Sequence, residues 1–281
     1  MNKIYILIVL AFSVFTLSSC EDVVDVKLDS GPALLAVDGW LTNKAVPDTI
    51  KISQTSPYFS NTAPLFVTGA KVKLTTGSGQ TEQLSEIANG RFLVQNIRST
   101  KGETYTLSIE YEGEVYEAKT EATRQSFLLD SLGFEFREKS IEQEEDGYIV
   151  QFYGNELKGL GDACRIKIKR NNHYLGTIED LNYMDDEFVD SAEFKQVRLF
   201  TKDPFQLNDE VTVETWSITM DAYHFYDELR AQVNNGGIFA NPPANVRTNI
   251  KNVNSSSPKK AVGYFGASMV STISAVVTEN K

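Results

Sequence analysis

The sequence predicts a mainly β protein, with an N-terminal immunoglobulin-like β-sandwich followed by a second β-rich domain that carries one α-helix. Three observations predict it. From about residue 33 onward apolar and polar residues alternate with period two, the mark of half-buried strands. Glycine-rich or Glu-Gly turns separate these runs at roughly the 8 to 12 residue spacing of a sandwich. A single stretch, about 220–235, has helical spacing instead. The composition allows such a core, since 281 residues with 41% hydrophobic and 23% charged content are those of a globular chain.

The elements follow in order. Segments 34–41 and 49–53 read as the first strands. In Ala70-Lys71-Val72-Lys73-Leu74 the apolar residues share one face and the lysines the other, and Thr76-Gly77-Ser78-Gly79-Gln80 then turns the chain. Tyr105, Leu107, Ile109 and Tyr111 alternate with polar residues up to Glu112-Gly113-Glu114, from which Val115 to Ala118 returns as a hairpin partner. The sandwich is therefore placed at 33–123 and the second domain at 124–281, with Arg137 to Asp146 as a polar loop. Tyr148, Val150 and Phe152 form one strand of that domain. In the next, Cys164, Ile166 and Ile168 face the core while Arg165, Lys167 and Lys169 form a row on the opposite side. That row reads either as a charged face guarding against strand pairing or as a docking stripe for an acidic partner. Thr219 or Asp221 caps the helix, whose apolar stripe is Ala222, Phe225, Tyr226, Leu229 and Val233, and Asn234-Asn235-Gly236-Gly237 ends it. Residues 262–267 and 268–277 supply closing strands.

The N-terminus carries an address. Lys3 precedes an apolar run from Ile4 to Phe15, too short for a membrane span, which needs about 20 residues, and suited to a signal peptide over 1–19. Leu17-Ser18-Ser19-Cys20 resembles a bacterial lipoprotein lipobox, which makes Cys20 the lipidation site. Two or more acyl chains anchor far more firmly than one. Glu21, Asp22 and Asp25 make 20–32 an acidic tether, similar to the signal that sends Bacteroidota lipoproteins to the outer face of the outer membrane.

Charge and residue counts narrow the function. The net charge of −11 opposes nucleic-acid binding, which relies on cations displacing counterions. Two cysteines and two histidines, His173 and His224, argue against a disulfide scaffold or a Cys/His zinc site. No Gly-x-Ser-x-Gly elbow surrounds a serine, and no glycine-rich phosphate loop opens a helix. The expectation is therefore no catalytic residue, no cofactor and no metal. The acidic run Glu179, Asp180, Asp185, Asp186, Glu187 and Asp190 reads as a solvated loop, because it lacks the glycine of a calcium loop. Loop aromatics and polar residues supply the candidate partner or ligand surface: Tyr58, Phe59, Phe239, Asn241 and Asn245. Thr49, Ser131 and Ser191 follow aspartates in triplets resembling O-glycosylation acceptors of exported Bacteroidota proteins.

Several segments together resemble the Bacteroidota lipoproteins of domain-of-unknown-function family 4249. They are Ser19 to Val23, Ala36 to Asn43, Ile52 to Phe59, Gly69 to Val72, Asp221 to Tyr226, Pro242 to Ile250 and Gly263 to Gly266, while Asp180 to Phe205 is the least recognisable stretch. The resemblance implies an anchored, mostly β protein found beside a TonB-dependent outer-membrane transporter, and no established catalytic residue. The leading expectation is thus a surface-exposed, non-enzymatic accessory or ligand-capturing partner of such a transporter in nutrient uptake. A stand-alone adhesin or glycan-binding lipoprotein, and then a surface hydrolase, are the rival readings.

Overall fold

Alternation becomes burial in the first strands. In β1 (Leu35–Thr42) the core takes Leu35, Val37 and Leu41, while Asp38 and Trp40 face away. In β2 (Asp48–Gln54) Ile50 and Ile52 are fully enclosed. Each such side chain contributes about 1.5–3 kcal/mol by leaving water. The computed structural model describes residues 31–57, 60, 62–125, 127–140, 145–235 and 244–279. Cys20, Tyr58, Phe59, Phe239 and Asn241 lie outside the described residues.

Among the described residues the protein is mainly β with one helix. The first sheet joins β1 and β2 to β3 (Leu65–Phe66), β6 (Ser85–Ala88), β7 (Arg91–Val94) and β18 (Ala261–Ser268), in the order β18-β1-β2-β7-β6 with β3 also on β2. The second contains β4 (Lys71–Thr76), β5 (Thr81–Gln83), β8 (Thr104–Tyr111), β9 (Glu114–Glu121) and β17 (Ile250–Asn252), ordered β17-β9-β8-β4-β5. Both sheets contribute to one core, in which Val37, Ile50 and Ile52 join Val72, Leu74 and Leu107. The expected hairpin is β8–β9, with Tyr111 opposite Glu114.

The third sheet is β10 (Phe127–Arg137), β11 (Gly147–Glu156) and β15 (Glu193–Arg198). The fourth is β12 (Ala163–Arg170), β13 (His173–Tyr174), β14 (Asn182–Asp185), β16 (Glu210–Ile218) and β19 (Val270–Val276). Phe127, Val150, Phe152, Cys164, Ile166 and Val213 share their core. The helix α1 (Met220–Val233) starts at Thr219, whose hydroxyl accepts from the Ala222 amide at 3.2 Å. Its inward face, Ala222 and Tyr226, packs with Leu181, Ile218 and Tyr264. No helix of the described residues is long and apolar enough to cross a membrane.

The C-terminal strands do more than close the second domain. Strand β18 runs parallel to β1, pairing Val37 with Gly263 and Trp40 with Gly266, and β17 pairs with β9. Both therefore complete the sheets built mainly by 33–123, and residues 33–281 form one compact unit. Pairing across so many residues follows from matching edges, which periodicity does not reveal. Glycine makes the parallel contact possible. Gly263 sits at φ +88°, and a Cβ there would meet the Val37 carbonyl oxygen at 2.0 Å.

Candidate functional site

Strand β12 sets the site. Its alternation buries Cys164, Ile166 and Ile168 and turns Arg165, Lys167 and Lys169 to the other face. Antiparallel pairing places Trp216 opposite Arg165 and Glu214 opposite Lys167 in β16, while Tyr174 of β13 lies opposite Lys169. Against this face come Trp40 from β1, Lys44 from the turn after it, Tyr226 from α1 and Tyr264 from β18. Together they line a cleft of about 900 Å³.

One wall is an aromatic stack. Trp40 lies between Tyr226 and Tyr264, with ring centroids 5.8 and 6.0 Å away and nearly parallel planes, and meets Trp216 edge-on at 6.5 Å. The Tyr264 hydroxyl donates to Asp221 at 2.8 Å, which ties the stack to the first turn of α1. Ring contacts of this kind contribute about 0.5–1.5 kcal/mol each beyond burial.

The floor is ionic. Glu214 is 1% exposed, yet it is fully engaged. Lys169 reaches its Oε1 at 2.8 Å, while Oε2 accepts from the Tyr174 hydroxyl and Trp216 Nε1, each at 2.8 Å, and from Lys44 at 3.4 Å. Burial pushes this carboxyl up, but the donors from Lys169, Tyr174 and Trp216 and the Lys44 charge together hold it below the usual range. At the rim Lys51 pairs with Asp38 at 3.1 Å.

Two cations remain without an acid. Arg165 donates to the Tyr226 hydroxyl at 2.8 Å and lies over that ring. The Lys167 ammonium sits 4.1 Å from the Tyr174 ring centroid and 4.4 Å from that of Trp216. Among the described residues neither has an ion pair. Burial, then repulsion from Arg165, lowers the Lys167 pKa to about 8, against a pull from Glu214 that outweighs the further repulsion from Lys44. Because its folded pKa lies below the unfolded value of 10.5, the unfolded chain holds more protons between about pH 8 and 10.5. Stability is therefore expected to rise with pH across that window. Lys167→Met should raise unfolding free energy by about 1 kcal/mol at pH 7, since it removes a half-buried charge with no counterion. Urea unfolding of both proteins at pH 7 and pH 10 tests this. A destabilised methionine variant would contradict it.

A second depression of about 950 Å³ lies on β10, β11 and β15. Its charges satisfy one another: Glu135 binds Arg137 and Arg198 at 3.2 and 3.0 Å and accepts from Gln151. The first cleft alone of these two presents unpaired cations beside rings.

Of the sequence-predicted partner or ligand residues, Asn245 is the one among the described residues. Asn245 is exposed and does not line the cleft. The segment after it is fastened down, with Arg247 donating to Glu228 at 2.8 Å and Asn249 exchanging two hydrogen bonds with Phe265. Thr49 is half-buried in β2 at the cleft wall, whereas Ser131 and Ser191 are exposed. His173 and His224 are both exposed.

The acidic run 179–190 is not simply solvated, which corrects that expectation. Asp180 accepts from the Thr177 amide and hydroxyl and from the Lys202 amide. Asp186 accepts from the amides of Gly161 and Asp162, and Asp190 from that of Gly159. The carboxylates hold loops in place by capping backbone donors. Asp186 also joins Glu156 and Asp162 in a buried trio with ligand oxygens within 4.8 Å of one another. Arg124 pairs with Asp162 there. Burial, followed by the charges of Asp190, Asp186 and Asp162, raises the Glu156 pKa.

Trp40 and the Arg165–Lys167–Lys169 row were visible in the sequence, the first as part of a motif and the second as a stripe. Glu214, Tyr174 and Lys44 were not, because nothing local marks them. No curated protein matches the chain. Residues 21–274 match the family described as Domain of unknown function (DUF4249), and the chain belongs to that family.

Proposed function

We propose that the protein is an outer-membrane lipoprotein, anchored through Cys20 and facing the cell exterior, that captures a ligand as the non-enzymatic accessory of a TonB-dependent transporter. The observation that carries ligand capture is the cleft. Its volume lies within the roughly 300–1,000 Å³ of small-molecule sites, and it pairs apolar rings with a few placed polar groups. Its chemistry is that of binding: cations and phenols rather than a nucleophile held by a base. The lipobox and acidic tether support the anchor, and the family resemblance supports the transporter.

Mechanistically, anchoring confines the body to the membrane plane, which raises its effective concentration at a transporter without a strong interface. Mild detergent solubilisation of native cells, followed by pull-down of the tagged lipoprotein, should recover a TonB-dependent barrel. Intact-mass analysis of the native N-terminal peptide should show Cys20 as the first residue and carrying acyl chains. Recovery of no barrel would overturn the transporter partnership, and an unacylated N-terminus would overturn the anchor.

A further inference from the structure

We infer that the cleft takes a small organic anion, whose carboxylate, sulfate or phosphate group is held between Lys167 and Arg165. The inference rests on the ligand-capture reading and names the ligand's chemical class.

Charge within the cleft carries it. The protein as a whole has a net charge of −11, so an exposed basic group normally finds an acid nearby. Here Glu214 is shared by Lys44 and Lys169, and Asp38 is taken by Lys51. Arg165 and Lys167 make no ion pair among the described residues; their close contacts are phenol and ring faces, and the acids that act on Lys167 through space, Glu214 and Asp38, are those already engaged. A half-buried ammonium loses hydration, and ring faces restore only part of it, about 0.5–2 kcal/mol. An anion restores more. The two residues stand two apart on one strand face, about 6.7 Å along the strand, so the oxygens of one acid group can bridge their flexible heads. Arginine offers a planar fork to those oxygens and lysine a point charge, the usual complement for oxyanions.

The surroundings define what else the ligand carries. The cleft is a concavity closed by β1, β13 and α1, which suits a small molecule rather than an acidic protein surface. Trp40 packs against Tyr226, Tyr264 and Trp216, and Gly266 lies against its six-membered ring, so recognition rests on charge more than on stacking over that ring.

Titration gives the anion site a signature. Lys167 is faced by Arg165 and Lys169 on its own strand, Lys44, Tyr174 and Glu214 beside it, and Asp38 across the cleft. A bound anion must raise the Lys167 pKa from about 8, and by linkage its affinity must fall as pH rises through that value.

The test labels the full-length lipoprotein in mild detergent with trace acetic anhydride and reads each lysine by peptide mass spectrometry, at constant ionic strength. The probes are inorganic phosphate, sulfate and glucuronate, with chloride and glucose as controls. Lys167 should be acetylated fastest among the buried lysines at pH 8. The three oxyanions should slow it several-fold while glucose and chloride do not. By calorimetry at pH 7, Arg165→Met and Lys167→Met should each weaken the best-bound oxyanion about ten-fold, as expected for a charge-assisted hydrogen bond. Circular dichroism on the same samples confirms folding, and Lys167→Arg should retain binding if charge is the determinant. Three results overturn the assignment: no protection by any oxyanion, equal protection by glucose, or unchanged affinity in Lys167→Met. Protection by glucose would leave ligand capture standing and remove only the anionic class. Loss of transporter recovery with Lys167 protection intact would remove the transporter partnership and leave the anion site standing.

Discussion

Glu214→Gln is expected to cost about 3–5 kcal/mol of unfolding free energy, the largest effect of any single substitution in the cleft. The side chain is enclosed, and it is the shared acceptor for Lys44, Lys169, Tyr174 and Trp216. Glutamine keeps the shape but leaves the Lys44, Lys167 and Lys169 ammonium groups around one site without an anion. Urea unfolding at pH 7 reads the loss. The pH dependence supplies an independent check. Because the folded pKa of Glu214 is held below 4.5, its contribution is present above that value and disappears as pH falls through the folded pKa. That acid limb should flatten in the glutamine variant. Adding Lys169→Met should restore part of the stability, since the two residues are directly coupled. A glutamine variant within 1 kcal/mol of the parent would show that the ionic floor does not hold the sheet face together.

Gly266→Ala is expected to cost about 3 kcal/mol, at the upper end for overpacking. A Cβ there would lie 2.2 Å from Cζ3 of Trp40, and neither neighbour can yield easily. The indole stacks with Tyr226 and Tyr264 and meets Trp216 edge-on, so it cannot slide without breaking those contacts. The backbone cannot retreat either, because β18 is in register with β1 along its length. Gly176→Ala, where an added Cβ meets nothing within 4 Å, is the control and should change stability by no more than about 0.5 kcal/mol. Shrinking the indole in a Trp40→Leu, Gly266→Ala double variant should recover part of the loss. If Gly266→Ala behaves like the control, the tight approach of β18 to Trp40 is not a constraint on the fold.

These two sites show how unequally local pattern and tertiary structure are written in the chain. Strand β12 was legible because a strand buried on one face must alternate, and Cys164, Ile166 and Ile168 do so against three cations. The helix was legible from Thr219 and its apolar spacing, and the capping bond forms as that residue type allows. Strand β16 was harder to see. From Val213 to Ile218 every side chain is buried, because Val213 joins the core while Glu214 and Trp216, on the opposite face, are covered by Lys44, Lys169 and Tyr174 and by Trp40. Burial on both faces erases the period. Loop residues such as Tyr58, Phe59 and Phe239 read as a candidate contact surface, since exposed rings are frequent contact residues. The described residues that follow Asn245 brace α1 and β18 through Arg247 and Asn249.

By itself the sequence determined the mainly β class, the helix and its cap, the family and the orientation of the Arg165–Lys167–Lys169 row, because each depends on residue type and short spacing. Only the tertiary structure decided what that row faces. Whether a cation is solvated, paired or left over depends on which acid arrives beside it, and Lys44 lies 170 positions from Glu214. The parallel docking of β18 on β1 and the seating of α1 bring Trp40, Tyr226 and Tyr264 against the same strand. Charge balance within a cleft is a sum over neighbours in space, so no local reading of the chain contains it.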